Sequence, residues 1–288
     1  MSKLSPLLAP AKINLYLHVV GKRADGFHLL DSLIVFAETG DYLSISPHND
    51  LALDIDGPFS AGLKHEANNL VLRAARGLAE IAGVDARARI RLTKNLPIAS
   101  GIGGGSADAA ATLRALVEFW QLDVDTQALL DLALRLGADV PVCLDGRSSF
   151  VGGIGEELMP AGQLPPAWLV LANPRVPTPT PKVFKARRGD FSGEARWSVP
   201  PTDAAALATY LKGRRNDLTE AAITVAPVIR DVLTLIETTG DCLVARLSGS
   251  GATCFGLYGN AAAAETAAAE IRRRRPNWWV VPAPLKVH

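Results

Sequence analysis

Leu96-Pro-Ile-Ala-Ser-Gly-Ile-Gly-Gly-Gly-Ser-Ala-Asp-Ala-Ala110 is the stretch that most limits how this chain can fold. Glycines at 101, 103, 104 and 105 remove every Cβ where a strand-like segment gives way to a long helical pattern, so a ligand can come close to the backbone there. Ser106 and Asp108 follow at the expected helix start, where unpaired N–H groups and the positive dipole end favour an anion. The stretch reads as a phosphate cradle; taken alone, it also fits a plain glycine-rich turn ahead of a helix. It lacks the Gly-Lys-Ser/Thr ending of a Walker loop, and its glycines do not follow the dinucleotide spacing G-x-G-x-x-G.

The rest of the chain is needed to separate those readings. Ala11 to Val19 alternates as a half-buried strand, with Ile13, Leu15, Leu17 and Val19 on one face and Lys12, Asn14, Tyr16 and His18 on the other. Lys12 and Asn14, two apart and therefore co-facial, fit a polar cleft, while an exposed antiparallel strand would carry the same pattern. Gly21 to Gly26 reads as a turn leading to Phe27 and His28. That pair suits a base or sugar, although a lone turn histidine is by default ordinary surface. An apolar segment from Leu29 to Phe36, then Gly40–Ser46 and Leu51–Asp56, give an early run of strands. Asn68 to Gly83 has a helix cap, an apolar stripe at Leu70, Ala74, Leu78 and Ile81, and a glycine stop. Ala88 to Leu96 alternates again and leads into the glycine stretch.

Beyond it, Ala110, Leu113, Val117 and Trp120 keep helical spacing, and Thr126 to Leu136 is a shorter helix. Asp139, between Gly137 and Pro141, is flanked by apolar residues, where a carboxylate is costly to bury unless paired or used; a capping role is the plainer reading. Composition shifts between Gly152 and Pro181, where a boundary near residue 158 divides domains of 1–157 and 158–288. Pro174 to Lys182 reads as a stiff extended segment ending at Val183-Phe184, and Asp190 to Thr202 as irregular. Helices follow over Thr202–Lys212 and Asp217–Thr239, the second bent or divided at Pro227. Val244 to Tyr258 is strand, glycine turn and strand, in which Ser248-Gly-Ser-Gly251 offers backbone donors to an anion or simply makes a hairpin. Asn260 to Arg275 is an alanine-rich helix whose arginines, 272 to 275, read as a solvated helix end. Strands and helices in both halves give an α+β protein, two domains with a cleft between them.

Composition excludes several classes. Thirty basic against 29 acidic residues in 288 leave a net charge of +1, so no overall field selects nucleic acid or an anionic membrane. Cys143, Cys242 and Cys254 are odd in number and form no C-x-x-C, which argues against a disulfide framework or zinc site and suits the cytoplasm. The expectation is a cytoplasmic protein with no membrane or nucleic-acid partner.

Together, Pro10-Ala-Lys-Ile-Asn-Leu15, Pro97 to Ala110 and Leu247-Ser-Gly-Ser-Gly-Ala252, in that order, make the sequence similar to the GHMP kinases, the superfamily of galactose, homoserine, mevalonate and phosphomevalonate kinases. Gly21-Lys-Arg-Ala-Asp-Gly-Phe-His28, Gly137-Ala-Asp-Val-Pro141 and Pro177-Thr-Pro-Thr-Pro-Lys-Val-Phe184 place the resemblance with members acting on a cytidine-diphospho substrate. The resemblance implies a two-domain fold with the active-site cleft between domains. The implied reaction is ATP-dependent phosphorylation of the 2-hydroxyl of a cytidine-diphospho-methylerythritol, on the non-mevalonate route to isoprenoid precursors. A homoserine- or mevalonate-type kinase and a non-catalytic sensor of the same fold are the alternatives.

It further implies Asp139 as catalytic base with Lys12 as its partner, Asp108 being the rival carboxylate. ATP would be held by Leu70, Lys94, Pro97, Ile98, Ala99, Ser100, Gly101, Ile102, Gly103, Gly104, Gly105, Ser106 and Ala107, with Ser106 near Mg²⁺. Asn14, Phe27, His28, Thr180, Phe184 and Gly249 would hold the small-molecule substrate, its cytosine stacked between Phe27 and Phe184. Phe27 stands where the family commonly has Tyr, so only stacking remains there. A monomer and a homodimer both fit.

Overall fold

The computed structural model describes residues 5–63 and 68–287. It divides into two compact units that interleave along the chain. The first takes the described parts of Met1–Ala11 and Thr39–Ile98 with Gly103–Gly146; the second takes Lys12–Glu38, Ala99–Ile102 and the described part of Arg147–His288. The division at residue 158 follows composition along the chain. The compact units follow two long strands, β1 (Leu7–Lys22) and β2 (His28–Ser46), each of which contributes residues to both units.

In the first unit, β3 (Leu51–Asp56) pairs parallel with β4 (Ala88–Thr93), and β4 pairs antiparallel with the end of β2, Leu43 facing Leu92. Ile90 and Leu92 point inward as their alternation requires, while Arg89 and Arg91 point out to Asp54 and Asp56. Helix α1 (Leu70–Ala82) is capped by the Asn69 side chain, which accepts from Val71 N, and stopped by Gly83 in the left-handed region. Its buried stripe is Val71, Ala74, Ala75, Leu78 and Ala79, rotated from the expected one so that Leu70 and Ile81 sit at the margin. Helices α2 (Gly104–Phe119), α3 (Thr126–Leu136) and the short α4 (Val140–Asp145) complete the unit.

In the second unit, the first half of β2 pairs antiparallel with β5 (Ser149–Gly152), which turns at 153–156 into β6 (Glu157–Pro160). A four-stranded antiparallel sheet has the order β10 (Trp279–Pro284), β7 (Trp168–Asn173), β9 (Cys254–Tyr258), β8 (Val244–Leu247). Strand β10, with Pro282 and Pro284, lies at the edge, where a missing N–H is tolerated. Helix α6 (Ala204–Lys212) also belongs to this unit, and helices α7 (Thr219–Val225), α8 (Val228–Glu237) and α9 (Ala261–Arg274) contribute to a core that includes Leu17, Val19, Ile229, Ile236 and Ile271. Pro227 divides α7 from α8, as its missing N–H requires.

Two expectations change and one, the irregular 190–202 segment, is borne out. Phe184 lies not at the end of an extended segment but inside a short helix, α5 (Thr180–Ala186), which Pro181 opens as a first-turn residue. Residues 190–202 lack regular secondary structure but are hydrogen-bonded in place: Ser192 N donates to Val19 O, and Ala195 N to Asp31. The segments Leu29–Phe36 and Gly40–Ser46 are one strand, β2. Gly40 is in its interior because the chain crosses Ala9 there, and a Cβ would overlap the Ala9 carbonyl. Gly40→Ala should therefore destabilise the protein by at least ~1–3 kcal/mol, the usual scale of overpacking; an unchanged urea midpoint would show that this crossing tolerates a side chain.

Candidate active site

Strand β1 is buried on both faces. Lys12 is 4% exposed, Asn14 3%, Tyr16 0% and His18 7%, so the face that alternation marks as polar is not a wet one. Each of these groups must then find a partner, since an unpaired buried polar group costs about 1–3 kcal/mol. Lys12 Nζ donates to Asn14 Oδ1 at 3.0 Å, and Asn14 Nδ2 donates to Ser32 Oγ at 2.8 Å. Tyr16 donates its hydroxyl to Asp31, which also accepts from Arg196 at 2.7 Å. His18 Nδ1 meets Gly193 O at 2.9 Å.

The same strand holds one end of the glycine stretch. Lys12 N donates to Ile102 O, Asn14 N to Ser248 Oγ, and Ser248 Oγ to Gly101 O. Thr253 N donates to Ser100 O. Segment 99–102 is thereby stitched to β1 and to the 248–253 turn. The glycines allow this. Gly101 has φ +76°, and a Cβ on it would lie 2.5 Å from Ser248 O and 2.7 Å from Gly251 N. Gly249, at φ +53°, would meet Gly101 O at 2.8 Å and Asn14 Oδ1 at 3.5 Å. At Gly101 the absent side chain thus makes room for the backbone of the 248–251 turn.

Thr180 joins the same region, its hydroxyl 2.8 Å from that of Ser250. His28 and Phe184 stack with ring centroids 5.2 Å apart and planes 28° apart. Burial, then the nearby Lys22 and Arg187, push the His28 pKa below its ordinary value, so its imidazole is neutral near pH 7. Phe27 is 59% exposed.

The other end of the stretch belongs to the first unit. Helix α2 begins at Gly104, not at Ser106, with Gly103 at φ +64° as its N-cap residue, so two of the four glycines belong to the helix or its first turn rather than to a loop. Leu70 is adjacent: a Cβ on Gly105 would come 3.5 Å from its side chain. Ser106 is half-buried and Ala107 buried; Pro97 is buried and Ile98 and Ala99 exposed. Lys94 turns inward. Its ammonium donates to both Asp41 and Asp108, the latter at 2.6 Å, and is 3% exposed as a residue. Asp41 also accepts from Asn95 N and Leu96 N at 2.6 and 2.9 Å, fixing the chain as it enters the stretch. Burial works to lower the Lys94 pKa, and the two carboxylates outweigh it and raise it. Burial pushes Asp108 up to about 7, against the attraction of Lys94 and with help from Asp41. Burial beside a second carboxylate thus favours a proton on Asp108.

Asp139 occupies the N-cap position of α4 yet makes no capping hydrogen bond with its side chain. Helix α4 is fixed from its other end by Arg114 of α2, which donates to Cys143 O at 2.7 Å and Leu144 O at 3.2 Å. Sequence reading missed Ser32, Asp41, Arg114 and Asn216. Asn216 donates to Leu247 O and Gly249 O and clamps the second glycine turn. None of the four stands in a motif, and only distant pairing distinguishes them.

The sequence and the fold match a known group. The model of the GHMP kinases N terminal domain matches residues 69–147, and that of the GHMP kinases C terminal domain matches residues 202–277. The 4-diphosphocytidyl-2-C-methyl-D-erythritol kinase of Paramagnetospirillum magneticum is 56% identical over 96% of this chain and 97% of that protein. The kinase of the same name from Rhodospirillum rubrum is 51% identical over 94% of this chain and 89% of that protein. A crystal structure of 4-(cytidine 5'-diphospho)-2C-methyl-D-erythritol kinase superposes with a TM-score of 0.80 at 35% identity, covering 98% of this chain and 99% of that one. Homoserine kinase from Cytophaga hutchinsonii shares the fold, with a TM-score of 0.73 at 18% identity over 100% of this chain and 95% of that one.

The chain belongs to the GHMP kinases, and within them to the family of these diphosphocytidyl-methylerythritol kinases. It is an α+β enzyme, a kinase with ATP as co-substrate and a small-molecule acceptor. No helix among the described residues is long and apolar enough to cross a membrane.

The Asp108 carboxyl leads to a pH test. Its proton is released near pH 4 in the unfolded chain and at about 7 in the folded one. The folded state therefore binds more protons between these values, and stability falls as pH rises through that window. Urea unfolding from about pH 4.5 to about pH 7.5 should show this fall, and Asp108→Asn should remove part of it. Identical slopes would mean that Asp108 is already ionised in the native protein at the acid end.

Proposed function

We propose that the chain transfers the γ-phosphoryl group of ATP to the 2-hydroxyl of 4-diphosphocytidyl-2-C-methyl-D-erythritol, in non-mevalonate isoprenoid precursor biosynthesis. The observation that carries the substrate assignment is the stacked His28–Phe184 pair, in a chain 56% identical to a kinase named for that substrate. A ring face beside a neutral imidazole can stack on and hydrogen-bond a cytosine, and exposed Phe27 is available as a second face.

Asp139 acts as the base, taking the proton of the accepting hydroxyl as its oxygen attacks the γ-phosphorus and ADP leaves. Its place at the start of α4, within the Gly137-Ala-Asp-Val-Pro141 segment that carries the family resemblance, supports this role, and the burial of Asp108 against Lys94 argues against the rival carboxylate. Lys12 supplies positive charge and orientation beside the reacting groups. Ser100 to Ala107 bind the ATP phosphates through backbone N–H groups and the α2 dipole, with Leu70, Lys94, Pro97, Ile98 and Ala99 around them. The Lys94 side chain contributes there by holding the chain in place. Asn14, Thr180 and Gly249 hold the acceptor.

Among the described residues no three His, Cys, Asp or Glu side chains cluster. A Mg²⁺ ion would accordingly take few protein ligands, with Ser106 Oγ as one, and complete its shell from phosphates and water, as Mg²⁺ commonly does. It would supply charge neutralisation on the triphosphate. Residues 1–157 and 158–288 make the two GHMP kinase portions in chain order. Three free cysteines suit a cytoplasmic setting.

With a panel of acceptors, ATP turnover should be greatest on the cytidylyl substrate; equal turnover on mevalonate or homoserine would overturn the assignment, and no turnover on any would favour the sensor. Asp139→Asn should lower kcat by at least ~10² and leave ATP-analogue binding near normal. A kcat that barely falls would make Asp139 structural. His28→Ala should raise KM for the cytidylyl substrate alone, and an equal rise for ATP would count against its contact with cytosine.

A further inference from the structure

The hydrogen-bond directions around Asn14 reach beyond the residues assigned so far. An asparagine amide has a donating and an accepting end, and which end faces which neighbour must be dictated by groups that cannot reverse roles. On one side, the Lys12 ammonium can only donate, and it meets Asn14 Oδ1 at 3.0 Å. On the other, Ser32 Oγ accepts from Asn14 Nδ2 at 2.8 Å. A hydroxyl could face either way, but this one has its proton committed. Ser32 Oγ donates to the Tyr16 carbonyl at 2.5 Å, and a carbonyl can only accept. The carbonyl therefore fixes the hydroxyl, the hydroxyl fixes the amide, and the amide presents oxygen to Lys12.

All three side chains are buried, Lys12 at 4%, Asn14 at 3% and Ser32 at 1% exposure, where a misdirected amide would set N–H groups against an ammonium. Position 32 is itself held twice: next to it, Asp31 accepts from Tyr16 Oη and from Arg196. The backbone of residue 14 is fixed by a parallel arrangement, its N–H donating to Ser248 Oγ, which donates to Gly101 O.

We infer that Ser32 is a positioning residue for phosphoryl transfer: its hydroxyl sets the orientation of the Asn14 amide and through it the placement of the Lys12 ammonium. The inference rests on the proposed catalytic role of Lys12. Ser32 touches neither substrate nor nucleotide in this account. Its removal should slow the chemical step and leave ATP recognition alone, because small misplacements of a reacting group cost rate rather than binding.

The test uses the full chain with ATP and 4-diphosphocytidyl-2-C-methyl-D-erythritol, with folding checked by circular dichroism. Ser32→Ala should lower kcat about ten-fold or more while KM for ATP stays within about two-fold. In the Asn14→Ala background the same substitution should cost less than about two-fold further, since the amide it orients is gone. Where the alanine variant folds poorly, Ser32→Cys, close in volume but a weak donor, is judged by the same two criteria. A kcat within about two-fold of wild type, or a full multiplicative loss on top of Asn14→Ala, overturns the inference. Lys12→Met separates the two layers. A slow Lys12→Met enzyme beside a fully active Ser32→Ala enzyme overturns the role of Ser32 alone, and a fully active Lys12→Met enzyme overturns both.

Discussion

A strand can bury a polar face only if every donor and acceptor on it is partnered, and the 12–18 face of β1 imposes that condition on the second unit. Lys12 donates to Asn14 on its own strand, and Asn14, Tyr16 and His18 draw partners from farther along the chain: Ser32 and Asp31 on β2, Gly193 in the irregular 190–202 segment, and Ser248 in the turn between β8 and β9. The 190–202 segment has no ladder of its own, and satisfying this face gives it a defined course. Tyr210 and Arg214 extend the arrangement by donating to the Ala195 carbonyl. A polar face of this kind adds specificity of arrangement as well as stability, because each member has few acceptable orientations.

Backbone approach is the second constraint. The turns at 99–102 and 248–251 contact each other with no room for side chains at Gly101 and Gly249, so these two glycines serve one shared purpose. Asn216 then ties the Leu247 and Gly249 carbonyls from the N-terminal side of α7. In the first unit the glycine stretch has a different support, a buried lysine between two carboxylates, one of which also receives the two backbone N–H groups just before it. A mobile segment would lose binding energy to its own ordering. Segments tied down in this way are ordered beforehand.

Much of the fold was legible where a local signal governs. The Asn and Gly caps of α1, the division at Pro227, the alternation of β4 and the Asn260 start of α9 all follow from residues close in sequence, and each was read nearly to its boundaries. Reading failed where a distant contact decided. Gly40 suggested a break, and its crossing with Ala9 makes it the interior of a 19-residue strand. Phe184 lay after a proline-rich run that suggested extension, but Pro181 opens a helix there. The glycines at 104 and 105 suggested loop, and burial of the alanine-rich helix behind them draws them into α2.

By itself the sequence determined the α+β class, most element positions, the three glycine- and lysine-bearing motifs and hence the kinase family, because these rest on periodicity, caps and short spacings. Only the tertiary structure decided which polar groups meet. It put Lys94 between Asp41 and Asp108 rather than on the surface, stacked His28 on Phe184, and directed the Asn14 amide through Ser32. The physical reason is that hydrogen bonds and burial act between residues brought together by the whole fold, here up to 234 positions apart, and no local pattern carries that information.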